Sequence, residues 1–309
     1  MVNANLVFLL SLIIIAIGYI IKKLGIVTEK DGKIIAKIIL NVTLPALIIS
    51  VINQIELELT LILLPFIAII YSFIVLSISF LLFKKYPKNV KGLLLMTVIG
   101  FNIGLFAYPM IEMIWGERGL LYVIMFDIGN SFVIFGLSYT LGFIFSPKNN
   151  IKQDRVQVRL IFLHLIKSIP LMSWVVAILL KISHVVFPIF VIDLLDILSR
   201  ANMALTLLLL GVFLKFEIEK IYWYYILKVL LIRYSLGLIV GIFLFFILPF
   251  DSFYNAAILV AFILPIGMSA VAFSAEFGYN EELSSMIVNL TTIISFILMW
   301  LIVLILGIA

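Results

Sequence analysis

The chain is a succession of apolar stretches, each about twenty residues long, which is the length one helix needs to cross a hydrocarbon core, joined by short loops rich in Lys. A stretch of that kind must satisfy every backbone N–H and C=O within itself, so a helix is the only open-ended solution in lipid. Composition agrees. Residues are 65% hydrophobic and 12% charged, against roughly half and a quarter in soluble domains, and no water-soluble fold hides so much apolar surface.

Helices are expected near 5–21, 33–53, 59–83, 91–114, 119–145, 159–181, 187–214, 221–249, 254–276 and 283–308. No Pro/Gly/Ser-rich linker divides them, so residues 1–309 read as one all-α integral membrane domain. The first stretch, Leu6 to Ile21, has no basic residue ahead of it and is expected to be a transmembrane helix rather than a cleaved signal. In the seventh, Asp193, Asp196 and Arg200 fall in the first half, with Asp196 and Arg200 placed to pair across one turn.

Loop charge sets the orientation. The odd loops carry Lys22, Lys23, Lys30, Lys33 and Lys37, then Lys84, Lys85, Lys88 and Lys91, then Lys148, Lys152, Arg155 and Arg159, then Lys215 and Lys220. The even loops hold little beyond Arg118 and Lys181. Odd loops are therefore expected in the cytoplasm of a multi-pass cell-membrane protein, with both termini outside. The net charge of +5 is topogenic on this reading, and no nucleic acid is expected as a partner. Cys is absent and there are two His, His164 and His184, so neither a cofactor nor a metal centre is expected.

Five helices, a basic connection and five more helices make an inverted repeat, because an odd number of spans flips the second half. The halves are expected at 1–145 and 159–309. Each has an interrupted fourth helix: Gly100, Gly104 and Pro109 in one, Pro265 and Gly267 in the other. Proline in a membrane helix frees a carbonyl that protein, water or ligand must satisfy. Two such breaks in corresponding helices are expected to aim half-helix N-termini at an anion.

Asn102 lies about two turns from Pro109. Its amide either donates to a substrate carboxylate or bridges helices, and Asn130, one turn after Asp127, has the same two readings. Asp127 and Arg233 lie about 10 and 16 Å inside their helices, where an ionisable group normally has a partner or a task. They pair with each other, or Asp127 exchanges a proton while Arg233 neutralises an anionic substrate or replaces a bound cation. Glu112, Glu117 and Glu276 are expected at solvated helix ends, residues 116–119 as a tight turn, and the Tyr222–Tyr225 cluster at an interface.

Several motifs in this order and spacing resemble the auxin efflux carrier family. They are Leu44-Pro45-Ala46, Asn102 through Pro109, Gly116-Glu117-Arg118-Gly119 and Asp127-Ile128-Gly129-Asn130, then Leu208-Leu209-Leu210-Gly211, Leu264-Pro265-Ile266-Gly267 and Glu276-Phe277-Gly278. The resemblance implies ten transmembrane helices in two inverted five-helix repeats, crossing at broken fourth and ninth helices, with a mobile half moving against a scaffold half and often a homodimer. It implies an organic carboxylate as substrate, such as malate, malonate or an auxin-like acid, and it assigns the crossover to Asn102, Pro109 and Pro265. Ile266 departs from the Gln common in plant exporters, and their long cytoplasmic loop is missing. A sodium- or proton-coupled carrier of the bile-acid or NhaA type shares the architecture. A membrane-embedded enzyme would need a cluster such as paired His and Asp, and the sequence has none.

Overall fold

The structure, a computed structural model, describes residues 4–54, 58–148, 166–215 and 219–307, and among these it is helical without strands. The helices are α1 (Ala4–Lys23), α2 (Glu29–Gln54), α3 (Leu59–Leu82), α4 (Lys88–Val98), α5 (Ile103–Ile144), α6 (Ile169–Ile182), α7 (Ile189–Phe213), α8 (Lys220–Ile247), α9 (Ser252–Phe262), α10 (Ser269–Phe277) and α11 (Glu281–Leu306). Seven of them, α1, α2, α3, α5, α7, α8 and α11, are long and apolar enough to cross a membrane. The chain is an integral membrane protein.

Helix ends follow local chemistry. Lys22 and Lys23 close α1, where the negative end of the helix dipole favours cations, and Gly25 then takes a left-handed φ of 73°. Thr28 and Asp31 form a reciprocal capping box that starts α2 four residues earlier than expected. Pro45 has no N–H for the carbonyl of Asn41 and its ring crowds that carbonyl, and α2 loosens into a π turn at Ile39–Thr43 just ahead of it. Gly116, at φ 61° and ψ −157°, bends α5 sharply, as the expected turn at 116–119 requires. Asp251 caps α9 through Tyr254 N–H at 3.0 Å and pairs with Arg118 at 3.1 Å, fixing that bend to the start of α9.

The expected fourth and ninth helices emerge in pieces. The first is α4, an open segment at 99–102 and the part of α5 before Gly116; the second is α9, an open segment at 263–268 and α10. Of the expected sixth helix, 159–165 lies outside the described residues, as does most of the basic connection at 146–158. The seventh is one helix despite its charges, and Asp196 reaches across to α2, accepting from Ser50 Oγ at 2.9 Å, instead of pairing with Arg200.

Two groups of helices pack side by side. In one, α1 lies along α7, and α2 packs on α6 and α7. The approach of α1 to α7 is so close that a Cβ on Gly211 would fall 2.0 Å from the Ile15 carbonyl oxygen, the small-residue packing that membrane helices use where apolar lipid gives no hydrophobic drive. In the other, α3 packs on α5, α8 on α9, and α10 on α11. Both breaks lie in the second group and face the first.

Candidate functional site

The two open segments touch through their backbones: the Asn102 N–H donates to the Pro265 carbonyl at 2.8 Å. Around this contact each break is held by side chains, because an unpaired buried peptide group costs as much as a lost hydrogen bond. At the first break Asn130 does the work of a missing strand. Its Oδ1 accepts from the Phe101 N–H at 3.0 Å and its Nδ2 donates to the Phe101 carbonyl at 3.1 Å. The same Nδ2 donates to Asp127 Oδ1 at 2.8 Å, and the Tyr108 hydroxyl donates to Asp127 Oδ2, also at 2.8 Å. Asp127 is buried, with each oxygen held by one neutral donor.

The second break relies on α8 and α11. Ile266 N–H donates to Thr291 Oγ1 at 3.2 Å, Ser295 Oγ donates to the Ile263 carbonyl at 2.6 Å, and Tyr234 Oη donates to the Thr291 carbonyl at 2.8 Å. Arg233 lies behind the crossing, 2% exposed. Its Nε and Nη2 donate to the Leu264 carbonyl at 3.1 and 2.8 Å, Nη2 also to Pro265 at 3.1 Å, and Nη1 to Val98 at 2.9 Å. Asp127 and Arg233 thus take different partners and do not form the pair weighed from sequence.

A cavity of about 930 Å³ opens on the other side of the crossing. Asn102, Asp127, Asn130 and Gly267 line it, together with the first residues of the helices that resume after each break, Ile103 and Ser269. Neither resumed helix has a side-chain cap at its start, so the positive ends of two dipoles face the cavity, although at α10 the Ala270 and Val271 N–H groups donate back to the Gly267 and Met268 carbonyls at 3.0 and 3.1 Å. Asn102 is 5% exposed, and its Nδ2 has no hydrogen-bond partner among the described residues. A Cβ on Gly267 would stand 3.1 Å from Ser269 Oγ and 3.3 Å from the Phe101 carbonyl oxygen, so glycine keeps this approach open. The cavity extends along α2 past Leu44 and Leu40 to Lys37 and Lys33. Of the residues singled out from sequence, Pro109, Pro265 and Arg233 do not line it.

Chemically the arrangement offers neutral donors and helix N-termini, which suit an anion, and a carboxylate able to hold a proton. A family model described as "Membrane transport protein" matches residues 4–303. The chain belongs to that family, the family of the auxin efflux carriers. Two archaeal relatives are similar to it. One is an uncharacterized transporter of Methanocaldococcus jannaschii, 26% identical over 261 residues that cover 80% of this chain and 77% of the relative. The other is an uncharacterized transporter of Methanothermobacter thermautotrophicus, 26% identical over 155 residues, 49% of this chain and 50% of the relative. As a member of the family the chain is a membrane transporter and not an enzyme.

Sequence reasoning missed the braces of the second break, Tyr234, Thr291 and Ser295. Hydroxyls in apolar helices usually bond back to their own backbone, and nothing in the spacing of these three marks them otherwise. Glu112 was expected in solvent; it is half-buried, and its Oε2 is enclosed without a partner among the described residues.

Proposed function

We propose that the chain is a secondary carrier that moves a small organic carboxylate across the cell membrane by alternating access. The observation that carries this reading is the buried side-chain amide nitrogen of Asn102, without a hydrogen-bond partner among the described residues and held between two helix N-termini at the end of a cavity. Each of these three donors favours negative charge or an acceptor oxygen, and a carboxylate satisfies them together. Asn130 and Gly267 shape the same wall, and Pro265 stands in the second interruption, whereas Pro109 lies inside α5 beyond the first, just after a π turn at Ile103–Ala107.

On this reading the chain makes ten spans in two inverted repeats, 1–145 and 159–309, with α4–α5 and α9–α10 as the broken fourth and ninth helices. The group of α1, α2, α6 and α7 is the scaffold, on which a homodimer would form, and the other group carries the site. Lys33 and Lys37 at the cavity mouth belong to the loops expected in the cytoplasm, so the conformation described is open inward. Asp127 favours proton coupling over sodium coupling: its carboxylate lines the cavity, and its bonds come from two neutral donors.

Purified protein screened by thermal shift against mono- and dicarboxylates at two pH values tests the substrate class, since a ligand that binds the folded state raises its midpoint by mass action. A rise with malate or malonate supports the reading, and none with any carboxylate sinks it. Orientation is tested by single cysteines. Asn89→Cys and Asn150→Cys should be shielded from an impermeant reagent in intact cells, and Ser252→Cys should react.

A further inference from the structure

Helices α4 and α9 both end at the crossing, and a helix C-terminus carries about half a negative charge on carbonyls without partners. Two such ends in a buried site need a compensating cation. Broken helices of this kind can recruit a sodium ion or a proton at those carbonyls, and that ion then comes and goes with each cycle. Here the place is taken. Arg233 donates four hydrogen bonds to the carbonyls of Val98, Leu264 and Pro265, that is, to the last residue of α4 and to the segment leaving α9. Its guanidinium also stands over the Phe101 ring, 4.3 Å from the centroid, and the buried Tyr71 ring stacks on Phe262 at 4.0 Å beside it. A planar fork with five donors suits three converging carbonyls in a way that a single ammonium does not.

We propose that Arg233 is a covalently attached substitute for an exchangeable cation: a positioning residue that holds the two half-helix C-termini together, so that the crossover needs no sodium at any stage. Arg233 then acts on the cavity indirectly. Its bond to the Pro265 carbonyl shares that acceptor with the Asn102 N–H, which sets where the Asn102 side chain stands.

The test is thermal melting of the purified protein without substrate, in choline chloride, in sodium chloride at equal ionic strength, and with low millimolar methylguanidinium. Wild type should melt at the same temperature in all three. Arg233→Ala, which empties the carbonyl cluster, should melt lower and regain several degrees, saturably, with methylguanidinium or sodium. Arg233→Lys should fold and show little response, and Lys228→Ala, which removes another cation of α8, should show none. If Arg233→Ala cannot be purified, Arg233→Gln is measured in its place, with the same gain of cation response expected. Arg233→Ala, or Arg233→Gln in its place, that melts like wild type or gains no cation response overturns the proposal, as does a wild type stabilised by sodium. No carboxylate is present, so failure of the carrier reading leaves this result intact.

Discussion

The two breaks are built alike and held differently. At the first, the open segment at 99–102 is braced from within its own half by Asn130, and it leaves one side-chain donor, Asn102 Nδ2, without a partner among the described residues. At the second, the open segment at 263–268 is braced from α8 and α11 by Arg233, Thr291 and Ser295, and it lines the cavity with Gly267 and Met268, neither of which carries a side-chain hydrogen-bond donor. Ile266, which follows the second proline as Asn102 precedes the first, is 1% exposed and turned into the core. On the proposed reading this is a division of labour, with the first break offering the side-chain donor for a substrate and the second holding the frame.

Substitution of the braces should show that division most strongly. Asn130→Ala leaves both polar groups of Phe101 and one oxygen of Asp127 unpaired in a buried site, and an unsatisfied group costs about 1–3 kcal/mol, so a loss of about 2–5 kcal/mol is expected. Thr291→Val removes the single acceptor of the Ile266 N–H and should cost about 1–2 kcal/mol. Denaturant or thermal unfolding of both variants ranks them, and a larger loss for Thr291→Val would reverse the account of which break is more delicately held.

Glycines give a smaller contrast. A Cβ at Gly267 meets the Phe101 carbonyl oxygen at 3.3 Å, a backbone atom of the first break, whereas a Cβ at Gly104 meets only the end of the Leu44 side chain at 3.2 Å. Gly267→Ala should therefore weaken carboxylate binding severalfold, and Gly104→Ala should leave it within about twofold because a flexible side chain can move aside. Equal effects would mean that the crossing is more pliable than these contacts imply.

Asp127→Asn sharpens the first break from another direction. The amide keeps the size of the side chain and loses the exchangeable proton, so transport should persist with its pH dependence flattened. A variant that folds as wild type and transports with an unchanged pH profile removes Asp127 from coupling.

How much of this was legible from residues alone follows from which forces leave a local trace. The long helices were, since a span is a run of apolar residues with basic ends, and α1, α3, α8 and α11 fall within a few residues of expectation. The breaks were in part, because glycine and proline weaken helices: Gly100, Pro265 and Gly267 fall in the open segments, while Pro45 and Pro109 sit inside helices with only a π turn ahead of them. Arg233 was legible as a buried charge with a task, but its partners are carbonyls, and carbonyls carry no sequence signature. The scaffold's close contact of α1 with α7 was hidden for a related reason: Gly211 could be read as part of a motif, but not that the Ile15 carbonyl lies against it.

The measurement that tests the central claim most directly is carboxylate affinity and melting temperature on one variant, Asn102→Ala. A hydrogen bond to a charged group contributes about 1.5–3 kcal/mol, and each 1.4 kcal/mol is tenfold in affinity, so binding of malate or malonate should weaken by roughly one to two orders of magnitude. Melting temperature should hold, because the Asn102 side-chain nitrogen bonds nothing in the described protein and the backbone N–H that meets Pro265 remains. Unchanged affinity with a lowered melting temperature would contradict the account, making Asn102 a brace like Asn130 and leaving the first break without a reader.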